Sequence, residues 1–270
     1  MTRDALITHI REKNSYLCVG LDTDIAKLPA SIQQDNDAVF SFNKRIIDAT
    51  SNFCVAYKFN TAFYEAMGAK GWEILERTVR YIPSTHFKIA DAKRGDIGNT
   101  SSQYARAFFE TIPFDAITVA PYMGSDSVRP FLEYKDKWTI VLGLTSNSGA
   151  TDFEMVKTGG KYLYEHVLET AMRWGSPDNL MFVIGATQAE SFESVRKLVP
   201  DHFYLVPGIG AQGGSLKEVS EKAMNNDVGL LVNVSRAIIY ASPKEDFDTE
   251  AGIIAQQYQY EMKRYLSTKE

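Results

Sequence analysis

The chain has 270 residues, 44% of them hydrophobic and 23% charged, with a formal net charge of −5. This composition is that of an ordinary globular protein and excludes a disordered chain. An acidic surface argues against nucleic acid or anionic lipid as partners, so an anionic ligand needs positive charge concentrated in one local site.

Eight short apolar runs follow one another at 16–21, 55–60, 86–90, 116–120, 139–145, 181–186, 203–206 and 229–234. Each is rich in Val, Ile, Leu or aromatic residues and continuous rather than alternating, the pattern of strands buried on both faces of a parallel sheet. Segments with helical spacing separate them. After the second run, Phe63, Met67, Ile74, Leu75 and Val79 form one apolar face, and after the third a helix is expected over 97–109. Tyr162, Leu163, His166, Val167 and Met172 form another face after the fifth run. A helix starts near Ser215 after the seventh, and a Gln- and Tyr-rich helix over 249–266 closes the chain. Eightfold alternation at this length predicts an α/β protein, a (β/α)8 TIM barrel in a single domain spanning 1–270. A doubly wound open sheet is the alternative. No linker, charge run or low-complexity stretch interrupts the series. The longest connection, after the fifth run, carries a Gly- and Thr-rich stretch at 146–160 suited to an active-site lid. No run approaches the roughly 18 apolar residues of a membrane span. Residues 1–5 hold no signal-peptide core, so a cytoplasmic protein is expected.

A barrel of this kind carries its active site at the C-terminal strand ends. There the sequence places Asp22, then Lys58 and Asn60, then Asp91-Ala92-Lys93-Arg94-Gly95-Asp96. Pro121 to Gly124 and Thr145-Ser146-Asn147 follow, then the loop 207–214, then Ser235-Arg236. Asp91 and Lys93, two apart, point to the same side of an extended chain. A lysine flanked by two carboxylates, with Lys58 on the neighbouring strand, makes a charge network at the mouth of the barrel. A purely structural ion-pair network has the same signature. The loop 207–214 holds four glycines, which let backbone N–H groups approach an anion, and the helix near Ser215 offers it a positive end. Arg236 adds a bidentate fork in the usual phosphate position of such barrels. The four histidines (His9, His86, His166, His202) lie at none of these ends, which argues against a histidine base. Cys18 and Cys54 sit in apolar runs with no C-x-x-C partner, and no other metal-ligand spacing occurs, so no metal is expected.

The stretch 89–100 contains Asp91, Lys93, Asp96, Ile97, Gly98 and Thr100 in the spacing D-x-K-x-x-D-I-G-x-T. It resembles the signature of the orotidine 5′-phosphate decarboxylase family, and the other strand ends match that family in order from Leu17 to Ile238. Length and the Lys93-Arg94-Gly95 segment resemble its longer bacterial branch. The resemblance implies decarboxylation of orotidine 5′-monophosphate to UMP without a cofactor. It makes Lys58, Asp91, Lys93 and Asp96 the catalytic network, with Lys93 the proton donor. It implies that Asp22 binds the ribose hydroxyls, that Ser146 hydrogen-bonds the pyrimidine, and that Pro207 lies against the base. Gln212 and Arg236 would grip the phosphate. It also implies a homodimer in which Asp96 and Thr100 reach the partner's site. Two positions depart from the family pattern: Ser235 stands where Gly usually precedes the arginine, and the strand-seven loop holds no tyrosine, which leaves closure to 146–160. The rivals are a Mg2+-dependent sugar-phosphate decarboxylase or aldolase of the same superfamily and a non-catalytic nucleotide-binding barrel. In the former the second strand carries an acidic metal partner, where this chain has Lys58.

Overall fold

Each apolar run becomes a strand with both faces covered. In a computed structural model describing residues 1–210 and 213–268, the strands are β1 (Leu17–Gly20), β2 (Ala56–Asn60), β3 (Phe87–Arg94), β4 (Ala116–Val119), β5 (Trp138–Leu144), β6 (Leu180–Ile184), β7 (Phe203–Val206) and β8 (Leu230–Val234). Every residue of β1, β4, β6, β7 and β8 is buried. The strands are parallel and close in the order β1-β8-β7-β6-β5-β4-β3-β2, which replaces the open-sheet alternative by a barrel. Helices cover the outside in the expected βα order, so every C-terminal strand end opens on the same face.

The last helix, Phe247–Leu266, returns across the β1 side and packs on the Ala38–Thr50 helix. Gly252 permits the approach, because a Cβ there would lie 3.0 Å from the Ala49 carbonyl oxygen. At the seam between β1 and β8, a Cβ on Gly20 would meet Ser235 Cβ at 2.7 Å, while Ser235 Oγ donates to Gly20 O at 3.1 Å.

Several local expectations shift. The face after β2 is split between two helices, Thr61–Glu65 and Gly68–Tyr81, parted where Gly68 takes φ +63°. Ile74, Leu75 and Val79 are buried, but Phe63 is exposed. In the Leu163–Ala171 helix the buried residues are Tyr164, Leu168 and Ala171, one position round from the expected stripe. Regular helix over the 97–109 segment covers only Gly98–Arg106. A wider turn follows, in which Ile112 N bonds to Ala107 O at 3.0 Å.

The stretch 146–160, expected as a lid, has secondary structure of its own. It folds into a helical turn, Ser148–Asp152, and the first strand of a two-stranded antiparallel ladder pairing Lys157–Thr158 with Lys161–Tyr162. Glu154 anchors it by accepting Thr145 N at 2.7 Å. His9, His86 and His202 are buried away from the strand-end face, as packing residues. No helix among the described residues is long and apolar enough to cross a membrane.

Candidate active site

Seven of the ten residues expected at the site line one cavity at the C-terminal strand ends: Asp22, Lys58, Asp91, Lys93, Ser146, Pro207 and Arg236. Its volume of about 250 Å³ suits a small molecule rather than a polymer. Asp96 and Thr100 do not line it, and Gln212 lies outside the described residues.

The charged groups form an alternating chain. Parallel pairing sets Lys58 beside Ile89 and Asn60 beside Asp91, which brings the β2 lysine against the β3 carboxylate. Lys58 Nζ is 3.0 Å from Asp91 Oδ2 and 3.4 Å from Asp22 Oδ1. Asp22 also accepts Asn60 N at 3.1 Å, which ties the β1 end to β2. Lys93 Nζ is 2.6 Å from Asp91 Oδ1.

Burial differs sharply between the two lysines. Lys58 is only 3% exposed, whereas the Lys93 side chain is 49% exposed and opens into the cavity. Burial alone would push the Lys58 ammonium down, but Asp22 and Asp91 outweigh it and hold the pKa above its ordinary value. Burial alone would push the Asp91 carboxyl up, but Lys58 and Lys93 hold it well below the usual carboxylate range. Asp91 therefore stays ionised.

Simple strand alternation does not create the Asp91–Lys93 contact. Register shifts between Ala90 and Arg94, and Lys93 takes φ +49°, so a bulge turns the lysine toward the carboxylate. Arg94 secures the far side of the bulge. Its guanidinium pairs with Glu65, donates to Ala92 O at 3.0 Å, and lies over the rings of Tyr104 and Phe108.

The opposite rim carries Arg236 as its cation. Pro207, Gly208 and Ile209, after β7, and Ser235, Arg236 and Ala237, after the neighbouring β8, line this side of the cavity. Ser215 does cap its helix, accepting Glu218 N at 3.3 Å. It is not itself a lining residue, and the rim on this side includes Ser235 and Arg236. From 146–160 only Ser146 and Asn147 line the cavity. Lys58, Lys93 and Arg236 against Asp22 and Asp91 leave a net positive cavity in a net negative chain.

Sequence reasoning missed the cavity's inner wall. Leu142, Val183 and Leu205, inward residues of β5, β6 and β7, make an apolar patch. Asn233 is 7% exposed, lines the cavity, and its Oδ1 has no partner among the described residues. Thr118 Oγ1 donates to Asp91 Oδ1 at 3.0 Å. The available signal was a single polar residue inside an otherwise apolar run, Ile117-Thr118-Val119 and Val232-Asn233-Val234. Among the described residues no group of three or more His, Cys, Asp and Glu is arranged to hold a metal ion.

Fold and site together define a (β/α)8 barrel with an alternating Asp/Lys cluster at its mouth. The profile of the orotidine 5′-phosphate decarboxylase / HUMPS family matches residues 15–246, and the chain belongs to that family. An orotidine 5′-phosphate decarboxylase of Phocaeicola vulgatus is 55% identical over 270 residues, covering 98% of this chain and 99% of the relative. One of Flavobacterium johnsoniae is 56% identical over 272 residues, the full length of both. The solved structure of Leishmania donovani OMP decarboxylase is 37% identical, with a TM-score of 0.81, over 96% of this chain and 99% of that one.

Proposed function

We infer that this chain is a carboxy-lyase that converts orotidine 5′-monophosphate to UMP, with Lys93 as the proton donor. The observation that carries this reading is the Asp22–Lys58–Asp91–Lys93 chain, in which only the last cation is free to enter the cavity.

The chemistry needs such an arrangement. Breaking the C6–carboxylate bond releases CO2 and leaves its electron pair on C6, where no adjacent carbonyl delocalises it. The barrier reduction required is on the order of 20 kcal/mol, and preorganised charge is the means at hand. Lys93 Nζ holds positive charge beside C6 and then gives it a proton, to be replaced from solvent. Asp91, kept ionised by two cations, sits where it disfavours the substrate carboxylate and fixes Lys93. The apolar patch of Leu142, Val183 and Leu205 suits the departing CO2.

We assign the remaining contacts on the same reading. Asp22 takes the ribose hydroxyls, Ser146 the pyrimidine, Pro207 the face of the base, and Arg236 with Gln212 the phosphate. The family includes a sugar-phosphate branch, and Lys58 argues against it. Its ammonium stands between the Asp22 and Asp91 carboxylates, and an ammonium cannot ligate a hard cation.

We further propose a homodimer with shared sites. Asp96 stays outside its own chain's cavity, its carboxylate accepting Ile97 N at 2.8 Å. Around it Ile97, Tyr122 and Met123 are exposed, and Ser101 Oγ, 2.9 Å from both Asp96 O and Ser127 O, ties the segment after β3 to the helix after β4. Such an apolar surface beside a half-built site fits a second copy supplying Asp96 and Thr100. The buried free thiols of Cys18 and Cys54 fit a reducing cytoplasmic compartment.

The test is the loss of absorbance as orotidine monophosphate is consumed, measured on protein treated with EDTA. Turnover at an undiminished rate supports the reading. Activity that vanishes with EDTA and returns with Mg2+ would transfer the site to the sugar-phosphate branch, and binding without turnover would make it a nucleotide sensor.

A further inference from the structure

The β3–β4 ladder fails at the Asp/Lys motif. Ala90 pairs with Ile117 and Arg94 with Val119, so the segment from Asp91 to Lys93 stands opposite Thr118 alone. Ordinary ladder hydrogen bonds cannot span that mismatch, and buried N–H groups left unpaired are costly. Thr118 closes the gap with its side chain. The hydroxyl accepts Lys93 N at 2.9 Å and donates to Asp91 Oδ1 at 3.0 Å. The residue is fully buried, and the backbone it grips is held at φ +49°. A residue with a Cβ is strained in that conformation and keeps it only where its surroundings impose it.

We propose that Thr118 is a positioning residue of the reaction: one hydroxyl fixes both the main chain of the proton donor and the carboxylate that partners it. Through them it sets where Lys93 Nζ stands relative to the ligand. Thr118 is not among the residues lining the cavity, so it acts through Lys93 and Asp91. The phosphate rim, on β7 and β8, lies across the barrel and does not depend on it. This inference rests on the assignment of Lys93 as proton donor.

The experiment compares Thr118→Val, which keeps the shape and removes the hydroxyl, with Thr118→Ser, which keeps the hydroxyl. The quantities measured are kcat and KM for orotidine monophosphate, Kd for UMP, and thermal unfolding. Displacement of a catalytic group by about 1 Å costs about 10²-fold, so Thr118→Val should lose roughly 10- to 100-fold in kcat while Kd for UMP stays within about 3-fold. Thr118→Ser should stay within about 3-fold of wild type in both, because its hydroxyl makes the same two bonds.

A Val variant with near-wild-type kcat would overturn the proposal. So would a Ser variant as impaired as the Val variant, or a loss of UMP affinity that matches the loss of kcat. Should the Val variant fail to fold, Thr118→Ala against Thr118→Ser decides the same question at fixed loss of the methyl. A wild-type protein with no turnover would instead remove the functional reading itself.

Discussion

Lys58 and Lys93 carry the same charge to the same carboxylate, yet their removal should separate folding from chemistry. The Lys58 ammonium lies 3.0 Å from Asp91 and 3.4 Å from Asp22 and is almost wholly buried. At an effective dielectric constant of about 20, each contact is worth about 5 kcal/mol of Coulomb energy. Desolvation of the ammonium offsets several kcal/mol of this, and breaking a buried ion pair costs about 3–5 kcal/mol net. Lys58→Met keeps the bulk of the stem and removes the charge, so urea unfolding near pH 8 should show a loss of about 3–5 kcal/mol. Lys93→Met, with its ammonium half in solvent, should lose less than about 1 kcal/mol. Both should lose decarboxylation. The pH dependence has a definite sign. In wild type the depressed Asp91 pKa contributes stability above the ordinary carboxylate range, and this is lost as pH falls toward the lower folded value. Without Lys58, burial raises the Asp91 pKa, so the gap between wild type and Lys58→Met is largest at neutral pH and narrows in acid. A Lys58→Met protein within about 1 kcal/mol of wild type at pH 8 would refute the buried-pair argument, as would a deficit that does not shrink on acidification.

Lys93→Ala should fold normally and lose at least about 10²-fold in kcat, the usual cost of removing a general acid; a variant above a tenth of wild-type kcat would exclude Lys93 as donor. Arg236→Ala should weaken UMP by roughly 10- to 100-fold and uridine hardly at all, since a charge-assisted bond of about 1.5–3 kcal/mol reaches only the phosphate; equal losses, measured by calorimetry, would make the arginine structural. Mixing Lys93→Ala with Asp96→Ala homodimers should restore roughly a quarter of wild-type activity, because random exchange puts half the dimers in a mixed form with one intact site of two. No recovery despite demonstrated exchange would assign Asp96 to its own chain's site. Burial pushes His86 and His202 from 6.5 down to about 4, so the unfolded chain binds protons that the folded one refuses as pH falls from about 6.5 to about 4. Each histidine should remove about 3 kcal/mol of stability across that window. His202→Phe should flatten the decline of the urea midpoint between pH 7 and pH 5, and an unchanged slope would count against it.

The barrel was legible because parallel strands buried on both faces leave continuous apolar runs, and eight of them in βα order admit few topologies. The charge network was legible for the opposite reason: Lys58, Asp91 and Lys93 are expensive residues at the mouth of such strands. What local spacing could not carry was the geometry that depends on a neighbour. Period-two reasoning brought Asp91 and Lys93 together, yet the contact comes from a bulge that exists only against β4. Thr118 and Asn233 are single polar residues inside apolar runs, and their roles depend on which barrel face their strands present. The stretch 146–160 reads as a lid from its glycines, and nothing local announces that Glu154 folds back onto Thr145. Phe63 and the stripe near Tyr162 slipped because Gly68 and the short ladder before Leu163 reset the helical phase.

The cation between Asp22 and Asp91 is bonded to the polypeptide. A metal ion in that place would be subject to mass action: occupied when the ion is plentiful, empty under a chelator, open to the wrong element. Lys58 has no dissociation constant, and its occupancy is one in every folded molecule. Its loading is part of folding, so the charge of the site is in place before any ligand arrives and does not follow the composition of the medium. The accompanying restriction is that the site cannot be switched by withholding an ion.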